Sequence, residues 1–308
     1  MNNEIVAVPE TDFQDQPSPE QSRAELIINS LLTNKPPIEN NKVLVVLSGG
    51  QDSTTCLFLC KMHGLEVHAV TFDYGQRHAA ELEAARRIGE LAGVASHEFI
   101  KLPEGILKSS SPLVDKSAEL AQYADHQSLP GGLEKTFVPM RNMLFFTIAA
   151  NRAYALGINV LVTGVCEEDS GGYPDCRQDF ITLMSNVVTV GAFNGEDGAP
   201  EGFGFYTPVL HLTKAESVKL ALQIPGAYAA LAYSHTSYDG AYPPTGHDHA
   251  TLLRAKGFEQ AGVPDPLILR AVGDELMEFP DTPNYAEDKI QAATVAFVEA
   301  EERFGWEL

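Results

Sequence analysis

Short apolar runs alternate with longer stretches of helical spacing along this chain. The runs at residues 43–47, 67–72 and 160–165 are too short for helices and rich in valine, which is typical of buried strands. A further strand is predicted at 97–101. Segments with the length and spacing of helices lie between the strands, at residues 78–92, 142–156 and 178–190. This alternation predicts an α/β fold with a doubly wound parallel sheet, whose ligands bind beyond the carboxyl ends of the strands.

The pattern changes near residue 205, where further helical segments follow one another without strands between them. They are at residues 213–223, 249–261 and 286–303. We therefore expect three parts. Residues 1–40 form a disordered acidic extension with one short helix near 22–32, because they hold few aromatic residues and several prolines. Residues 41–208 form the α/β domain, and residues 209–308 form a smaller, mainly helical lobe.

Charge and composition narrow the classes of function. The chain carries a net charge of −21, and 44% of its 308 residues are hydrophobic. An acidic surface disfavours binding to nucleic acid. No apolar run reaches the length of a membrane span and the N-terminus is polar, so we expect no membrane partner, no secretory signal and a cytoplasmic location. The four cysteines do not form a disulfide framework.

The first candidate site follows the strand predicted at 43–47. The residues Ser48-Gly49-Gly50-Gln51-Asp52-Ser53 connect it to a helix. Backbone N–H groups at a helix N-terminus suit an anion such as pyrophosphate, and glycine lets the backbone approach it closely. Asp52 and Ser53 are expected to cap the helix. The alternative is a tight turn without a ligand.

Two further polar clusters follow predicted strands or precede a predicted helix. The residues at the end of the second strand are Asp73, Tyr74, Gln76 and Arg77, which could also be an Asx-type turn followed by a solvated helix face. Arg141 and Asn142 lie in the first turn of an apolar helix, an unfavourable place for a cation near the helix dipole. That position makes sense if Arg141 binds a phosphate, and the alternative is a surface arginine.

The third cluster, which comes after the strand predicted at 160–165, begins at Gly164. It contains Glu167, Tyr173, Asp175 and Arg177 among several glycines and acids. A carboxylate accepts well from the N–H edge of a guanine-like ring, and a tyrosine offers an aromatic face. The acids could also bind Mg²⁺ or lie in a solvated loop.

Taken together, these motifs resemble a known family. The pattern S-G-G-x-D-S is similar to the loop of the N-type ATP pyrophosphatases, the PP-loop enzymes with an adenine-nucleotide α hydrolase-like fold. The ordered set of SGGQDSTTC, TFDYGQRH, FVPMRN and TGVCEEDSGGYPDCR resembles 7-cyano-7-deazaguanine synthase of the queuosine pathway over residues 43–216. The resemblance implies a ligase that uses ATP, Mg²⁺ and ammonia. It would convert 7-carboxy-7-deazaguanine into the nitrile through adenylated acid and amide intermediates, as a homodimer.

The resemblance also implies roles for individual residues. The catalytic residues would be Ser48, Asp52, Ser53 and Arg141. The ATP-binding residues would be Leu47, Ser48, Gly49, Gly50, Gln51, Asp52, Ser53, Thr71, Phe72, Arg141 and Gly164. The deazaguanine would contact Asp73, Tyr74, Gln76, Arg77, Asn142, Glu167, Tyr173, Asp175 and Arg177.

Two departures from the family pattern concern Met140 and zinc. The family usually has glycine where this chain has Met140, and it carries four zinc-binding cysteines in its C-terminal part. Those positions hold Ser237, Thr245, Asp248 and Thr251, and no cysteine follows Cys176. A tetrathiolate site is therefore impossible, and we expect no structural zinc. A substitute site built from His235, His247, Asp248 and His249 is disfavoured relative to caps and turn hydrogen bonds.

The departures leave two other functions open. A paralogue would adenylate the deazaguanine acid and then join it to another amine, such as a protein N-terminus, or stop at the amide. A nucleotide sensor without catalysis is the third interpretation, and the complete set of loop, Arg141, Glu167, Tyr173, Asp175 and Arg177 disfavours it.

Overall fold

A computed structural model describes residues 22–76, 80–129, 132–167, 172–196 and 201–306. Five parallel strands form one sheet in the order β3-β2-β1-β4-β5. The strands are β1 (Lys42–Val46), β2 (Glu66–Asp73), β3 (Ser96–Lys101), β4 (Val160–Val162) and β5 (Gly204–Tyr206). This order is a doubly wound sheet whose connections reverse direction between β1 and β4, so the predicted fold class is confirmed.

Ten helices surround or follow the sheet in the described parts of the chain. They are α1 (Arg23–Thr33), α2 (Gln51–Met62), α3 (Ala80–Ala92), α4 (Arg141–Ala155), α5 (Gln178–Ala192), α6 (Lys214–Gln223), α7 (Ala227–Ala230), α8 (His249–Ala261), α9 (Pro266–Gly273) and α10 (Glu287–Phe304). None of the helices in these parts is both long and apolar enough to span a membrane.

Both faces of the sheet are buried. On β1, the side chains of Val43 and Val45 belong to one hydrophobic cluster and that of Leu44 to the other. All three are at most 1% exposed, which explains why β1 is a continuous apolar run rather than an alternating one. The cluster around Leu44 contains α4 and α5, and the opposite cluster contains α2, α3 and the helices of the C-terminal part.

The short helix predicted near residues 22–32 is confirmed as α1, but it packs on the core and is not part of a disordered extension. Ser22 begins α1 with a capping box, and Ile28, Leu31 and Ile38 are buried in the main hydrophobic cluster. Composition alone could not show this packing, because residues 1–40 taken together hold few aromatic residues and several prolines. Residues 1–21 lie outside the described residues.

The C-terminal part is mainly helical, as predicted. Its side chains share a hydrophobic cluster with the sheet: Val218 of α6, Phe258 of α8 and Ala293 of α10 belong to the same cluster as Val43 and Val45. The helices therefore pack on the α/β part without a separate core. A domain boundary at residue 208 stays a prediction.

Candidate active site

A cleft of about 330 Å³ lies at the carboxyl ends of β1, β2 and β4. This is where a doubly wound sheet binds its ligands. Its lining includes most of the residues that the motifs singled out, namely Leu47, Ser48, Gly50, Gln51, Asp52, Ser53, Thr71, Phe72, Tyr74, Gln76, Arg141, Asn142, Gly164 and Tyr173. Motifs that are far apart in the chain, from Leu47 to Tyr173, thus meet in one place.

The loop between β1 and α2 is shaped by its glycines. Gly49 has a φ of +83°, and a Cβ there would lie 2.5 Å from the carbonyl oxygen of Glu81. A Cβ at Gly164 would lie 2.6 Å from the backbone nitrogen of Ser53. Gly49 thus lets the loop pack against α3, and Gly164 lets the β4 connection pack against α2. Gly49 itself is not among the residues lining the cleft.

The first turn of α2 is left open towards the cleft. Its N-cap is Gly50, which makes no side-chain cap hydrogen bond, so the predicted capping by Asp52 and Ser53 is wrong. The Ser53 hydroxyl instead donates to the carbonyl of Gly50 (3.2 Å) and lies 3.0 Å from the Ser48 hydroxyl. Uncapped N–H groups at the positive end of a helix are suited to an anion.

Gln51 gives a second indication of a ligand. Its side chain is only 3% exposed, lines the cleft, and neither its amide nitrogen nor its amide oxygen has a hydrogen-bond partner. A buried amide without partners costs roughly 1–3 kcal/mol. A polar ligand in the cleft, such as a nucleotide, would relieve that cost, so the loop fits ATP.

Asp52 turns away from the helix cap and binds the C-terminal part. Its carboxylate forms an ion pair with Lys214 and accepts a hydrogen bond from the Ser217 hydroxyl at 3.2 Å. Lys214 is the first residue of α6, after a capping box formed by Thr213 and Glu216, and it lines the cleft. The sequence motifs missed Lys214, although a cation in the first turn of a helix is the same signal that pointed to Arg141.

Arg141 is the first residue of α4 and faces the cleft. The N-cap before it, Met140, has a φ of 66°, in the left-handed region that favours glycine. Burial disfavours the charged form of Arg141, but the nearby Tyr74, Tyr173 and other acidic groups outweigh this and raise its pKa above the usual value. Arg141 therefore stays a cation in the cleft and is not a surface arginine.

Aromatic rings form one wall of the cleft. Phe72 stacks on Phe145 with ring centroids 4.4 Å apart, and Tyr74 lies 5.3 Å from the same ring. The hydroxyl of Tyr173, which also lines the cleft, lies 2.6 Å from that of Thr136. A flat heteroaromatic ligand is suited to a space between such faces.

Asp175 lies beside the cleft, next to Cys176 in its lining. Its side chain is 7% exposed, and burial raises its pKa while Arg141 opposes the shift. The amide of Asn142 donates to the backbone carbonyl of Asp175 at 3.3 Å. These contacts place a buried carboxyl group close to the Arg141 side of the cleft.

Three of the predicted substrate residues lie away from the cleft lining. Glu167 accepts a hydrogen bond from the backbone N–H of Gln178 (2.7 Å) and contacts His211 at 3.2 Å, so it stabilises the start of α5. Arg177 is the exposed N-cap residue of α5. Asp73 accepts from the backbone N–H of Gly75 at 3.2 Å, as expected for an Asx turn. Arg77 lies outside the described residues.

Several lining residues were missed by the sequence motifs. They are Glu81, His235, Tyr238 and His249. Burial raises the pKa of Glu81 to about 7, while Arg141 lowers it. Burial also lowers the pKa of His249. The two histidines entered the sequence analysis only as candidate zinc ligands, and the fold is what brings all four residues to the cleft.

The positions implied for zinc do not fit that metal. Ser237, Thr245, Asp248 and Thr251 offer hydroxyls and one carboxylate, whereas zinc in structural sites prefers thiolate and imidazole ligands. Across the residues described, no group of three or more histidine, cysteine, aspartate or glutamate side chains is arranged to hold a metal ion.

Comparison with known proteins gives a consistent result. The family model "Queuosine biosynthesis protein QueC" matches residues 42–262. A 7-cyano-7-deazaguanine synthase from Gloeobacter violaceus is 51% identical over 228 residues, covering 73% of this chain and 95% of that protein. The synthase from Chromobacterium violaceum is 47% identical over 234 residues, covering 75% and 94%.

Solved structures are more distant. The U34-tRNA thiolase NcsA from Methanococcus maripaludis is 14% identical, with 87% of this chain and 85% of that chain covered and a TM-score of 0.40, which carries no argument about function. The synthase relatives confirm the prediction of an ATP-dependent enzyme that forms C–N bonds. On the family model and these relatives, the chain belongs to the QueC family of queuosine biosynthesis proteins.

Proposed function

We propose that this chain converts 7-carboxy-7-deazaguanine to 7-cyano-7-deazaguanine, using ATP and ammonia. The observation that carries the proposal is that an open helix N-terminus and several aromatic side chains line one cleft, with the buried carboxyl group of Asp175 beside it. The relatives named 7-cyano-7-deazaguanine synthase support the choice of substrate.

The ATP subsite is proposed along the loop from Ser48 to Ser53. The open N-terminus of α2 and the amide of Gln51 would bind the pyrophosphate portion of ATP. Arg141 and Lys214 both line the cleft and would supply positive charge to it. Leu47, Thr71, Phe72 and Gly164 would border the adenosine. Positive charge that is already in place lowers the barrier because it needs no reorganisation when negative charge develops.

The deazaguanine subsite is proposed between the tyrosines and Asp175. The ring would lie against Tyr173 and Tyr74, and the buried carboxyl of Asp175 would accept from its N–H edge. Gln76 and Asn142 would supply further polar contacts. Glu167 and Arg177 act through α5, whose first turn they border, and Asp73 shapes the turn after β2.

The reaction balances in two adenylation steps. A carboxylate oxygen of the substrate attacks the α-phosphorus of ATP, and pyrophosphate leaves. Ammonia attacks the acyl carbon, AMP leaves and the nitrogen loses a proton, which yields the amide. The amide oxygen then attacks the α-phosphorus of a second ATP and pyrophosphate leaves, after which loss of AMP together with the two N–H protons yields the nitrile. Negative charge develops on the phosphates in both adenylation steps, and Arg141 and Lys214 would stabilise it.

The reaction also needs a base and a ligand for Mg²⁺, and Glu81 and Asp52 in the cleft would supply them. Glu81 has a pKa raised to about 7, so it can accept a proton from the attacking nitrogen near neutral pH. Asp52 is the carboxylate of the loop and would hold Mg²⁺ together with the phosphates, since Mg²⁺ uses one or two carboxylates and phosphate oxygens. Mg²⁺ would supply charge neutralisation at the phosphates.

The net charge of the chain indicates whether the deazaguanine is free or part of a polynucleotide. With a net charge of −21, the chain is suited to a free deazaguanine rather than one within a polynucleotide. We further propose that it acts in the cytoplasm as a homodimer, with no membrane partner.

Binding measurements with two variants test the assignment of subsites. By calorimetry, Asp175→Ala is expected to lose binding of 7-carboxy-7-deazaguanine roughly tenfold or more while ATP binding survives, because a buried N–H edge would lose its acceptor at roughly 1–3 kcal/mol. Arg141→Ala is expected to retain binding of the acid and to lose adenylation, measured as release of pyrophosphate. Asp179→Ala, at an exposed position of α5, is the matched control and is expected to change neither. Tight binding of the acid by Asp175→Ala would move the substrate pocket elsewhere.

A further inference from the structure

A network of hydroxyls and carboxylates closes the loop between α7 and α8. The Ser237 hydroxyl lies 2.5 Å from Oδ1 of Asp239 and 2.8 Å from Oδ2 of Asp248. The Thr245 hydroxyl donates to the other oxygen of Asp239 at 2.6 Å, and that of Thr251 donates to Asp248 at 2.8 Å. The four positions that the resemblance would assign to zinc ligands therefore do meet in space, but through hydrogen bonds. We call these five residues the carboxylate clasp.

Part of the clasp is buried, whereas Thr245 is exposed, and each of its two carboxylates accepts at least two hydrogen bonds. Ser237, Asp248 and Thr251 are between 3% and 7% exposed. The Asp239 carboxylate also accepts from the backbone N–H of Ala241 at 2.8 Å, and Asp248 accepts from the backbone N–H of Thr251 at 3.0 Å as the N-cap of α8. Charge-assisted hydrogen bonds of this kind are stronger than those between neutral groups, so they can hold a loop without a metal.

Both ends of the clasp are tied to the cleft. On one side, the backbone N–H of His235 donates to the carbonyl of Gly49 in the loop before α2, at 2.9 Å. The ring nitrogen Nε2 of His235 lies 2.9 Å from the carbonyl oxygen of Ser237. On the other side, His249 directly follows Asp248 and lines the cleft. The clasp therefore connects the proposed phosphate loop to α8.

Tyr238 lies in the clasp loop and lines the cleft. Its two neighbours in the chain, Ser237 and Asp239, are joined by a hydrogen bond of the clasp. The electrostatic neighbours of Tyr238 include Tyr173 and Arg141, and its hydroxyl interacts with that of Thr136. Tyr238 thus stands on the same side of the cleft as Tyr173, where the deazaguanine subsite is proposed.

We propose that the carboxylate clasp replaces a metal in this chain and positions Tyr238 as a wall of the nucleobase subsite, so that the clasp determines affinity for the deazaguanine and not for ATP. This inference rests on the proposed function for the identity of the nucleobase. Ser237, Asp239, Thr245, Asp248 and Thr251 are positioning residues, and Tyr238 is the one that touches substrate.

The first test separates positioning from stability. Ser237→Ala is expected to raise the KM for the deazaguanine acid about tenfold with the KM for ATP unchanged, and Ser237→Thr, which keeps the hydroxyl, is expected to restore it. Tyr238→Ala is expected to raise the same KM without disturbing the clasp. The matched control is Ser185→Ala, another buried serine hydroxyl, which bonds the carbonyl of Phe203 outside the cleft. This control is expected to lower thermal stability and leave both KM values unchanged.

Elemental analysis is the second test, and it does not depend on the substrate. The parent chain is expected to hold no stoichiometric zinc and to keep its activity and melting temperature after treatment with a chelator. A variant with Ser237→Cys, Thr245→Cys, Asp248→Cys and Thr251→Cys together is expected to bind one zinc per chain, because its four thiols would replace groups that already meet.

The outcomes distinguish the clasp from the proposed function. If the parent chain binds the deazaguanine acid but Ser237→Ala and Tyr238→Ala bind it equally well by calorimetry, the positioning role is overturned. If the parent chain does not bind the acid at all, the proposed function fails, and the zinc content alone decides the clasp. One tightly bound zinc per parent chain would overturn the metal-free clasp in either case.

Discussion

At the scale of single residues, Met140 is held in a conformation that favours glycine. It has a φ of 66° and is 59% exposed, so few packing contacts compensate for the strain. A left-handed conformation costs a residue with a Cβ roughly 1–2 kcal/mol. The usual glycine at this position in the family therefore has a conformational reason, and the substitution by methionine need not alter the chemistry of Arg141, the next residue.

Met140→Gly is expected to raise the free energy of unfolding by about 1 kcal/mol, because it removes the strain at a positive φ. Urea unfolding measures this change. Met143→Gly in the first turn of the same helix is the control, and it is expected to lower the free energy by up to about 1 kcal/mol, since glycine is a poor helix former. Destabilisation by Met140→Gly would show that the methionine side chain makes contacts that outweigh the strain.

Glu81 predicts a pH dependence of stability. Its pKa is raised from 4.5 to about 7 by burial, so the folded chain holds this proton more tightly than the unfolded chain. The resulting stability is fully present below the unfolded pKa and is lost as the pH rises through about 7. In urea unfolding between about pH 5 and about pH 8, Glu81→Gln is expected to flatten this part of the profile. Glu83→Gln, at an exposed position of the same helix, is the control, and it is expected to keep the parent slope. An unchanged slope in Glu81→Gln would mean that Glu81 is ionised at every pH tested.

Site residues that lie in compact motifs could be predicted from the sequence. Residues that reach the cleft only through the packing of distant elements could not. Gly50, Gln51 and Arg141 could be found because they adjoin predicted strand or helix ends. Tyr238 could not, since its place depends on how the C-terminal helices pack on the sheet, and Lys214 carried only the signal of a cation in the first turn of a helix. Glu167 was in a motif, but its carboxylate is used for the start of α5.

At the scale of elements, long periodic segments were predicted best. The helix predicted at 249–261 is α8 with the same bounds, and the strand predicted at 43–47 is β1 shifted by one residue. The three-residue strand β5 was missed because so short a run has no period of its own, although Phe205 within it is fully buried. The strand predicted at 160–165 ends at Val162, since Thr163 and Gly164 line the cleft.

The helix α1 yields a prediction about the N-terminal segment. Leu31 is 3% exposed in the main hydrophobic cluster, so Leu31→Ala is expected to lower the free energy of unfolding by about 2–5 kcal/mol. Val187→Ala on α5, where the side chain is 66% exposed, is the control and is expected to change it by less than about 0.5 kcal/mol. A loss from Leu31→Ala as small as that of the control would restore the interpretation of residues 22–40 as a detached extension.

At the scale of the whole molecule, the order of the strands explains the site. Because β1 lies between β2 and β4, the loops after all three strands open onto one cleft. The alternation of elements predicts such a sheet, but it does not show that the C-terminal helices share its main hydrophobic cluster and bring Lys214 to Asp52. The cleft is therefore lined by residues of both the α/β part and the C-terminal helical part.

The central claim, that this cleft makes a nitrile from an acid and ammonia, is tested most directly by mass spectrometry of the product. The purified chain is incubated with ATP, Mg²⁺, 7-carboxy-7-deazaguanine and ammonium labelled with ¹⁵N. We expect 7-cyano-7-deazaguanine that carries one ¹⁵N atom, with two AMP formed for each nitrile. Accumulation of the labelled amide with one AMP, or of an adenylate that reacts only with another amine, would contradict it.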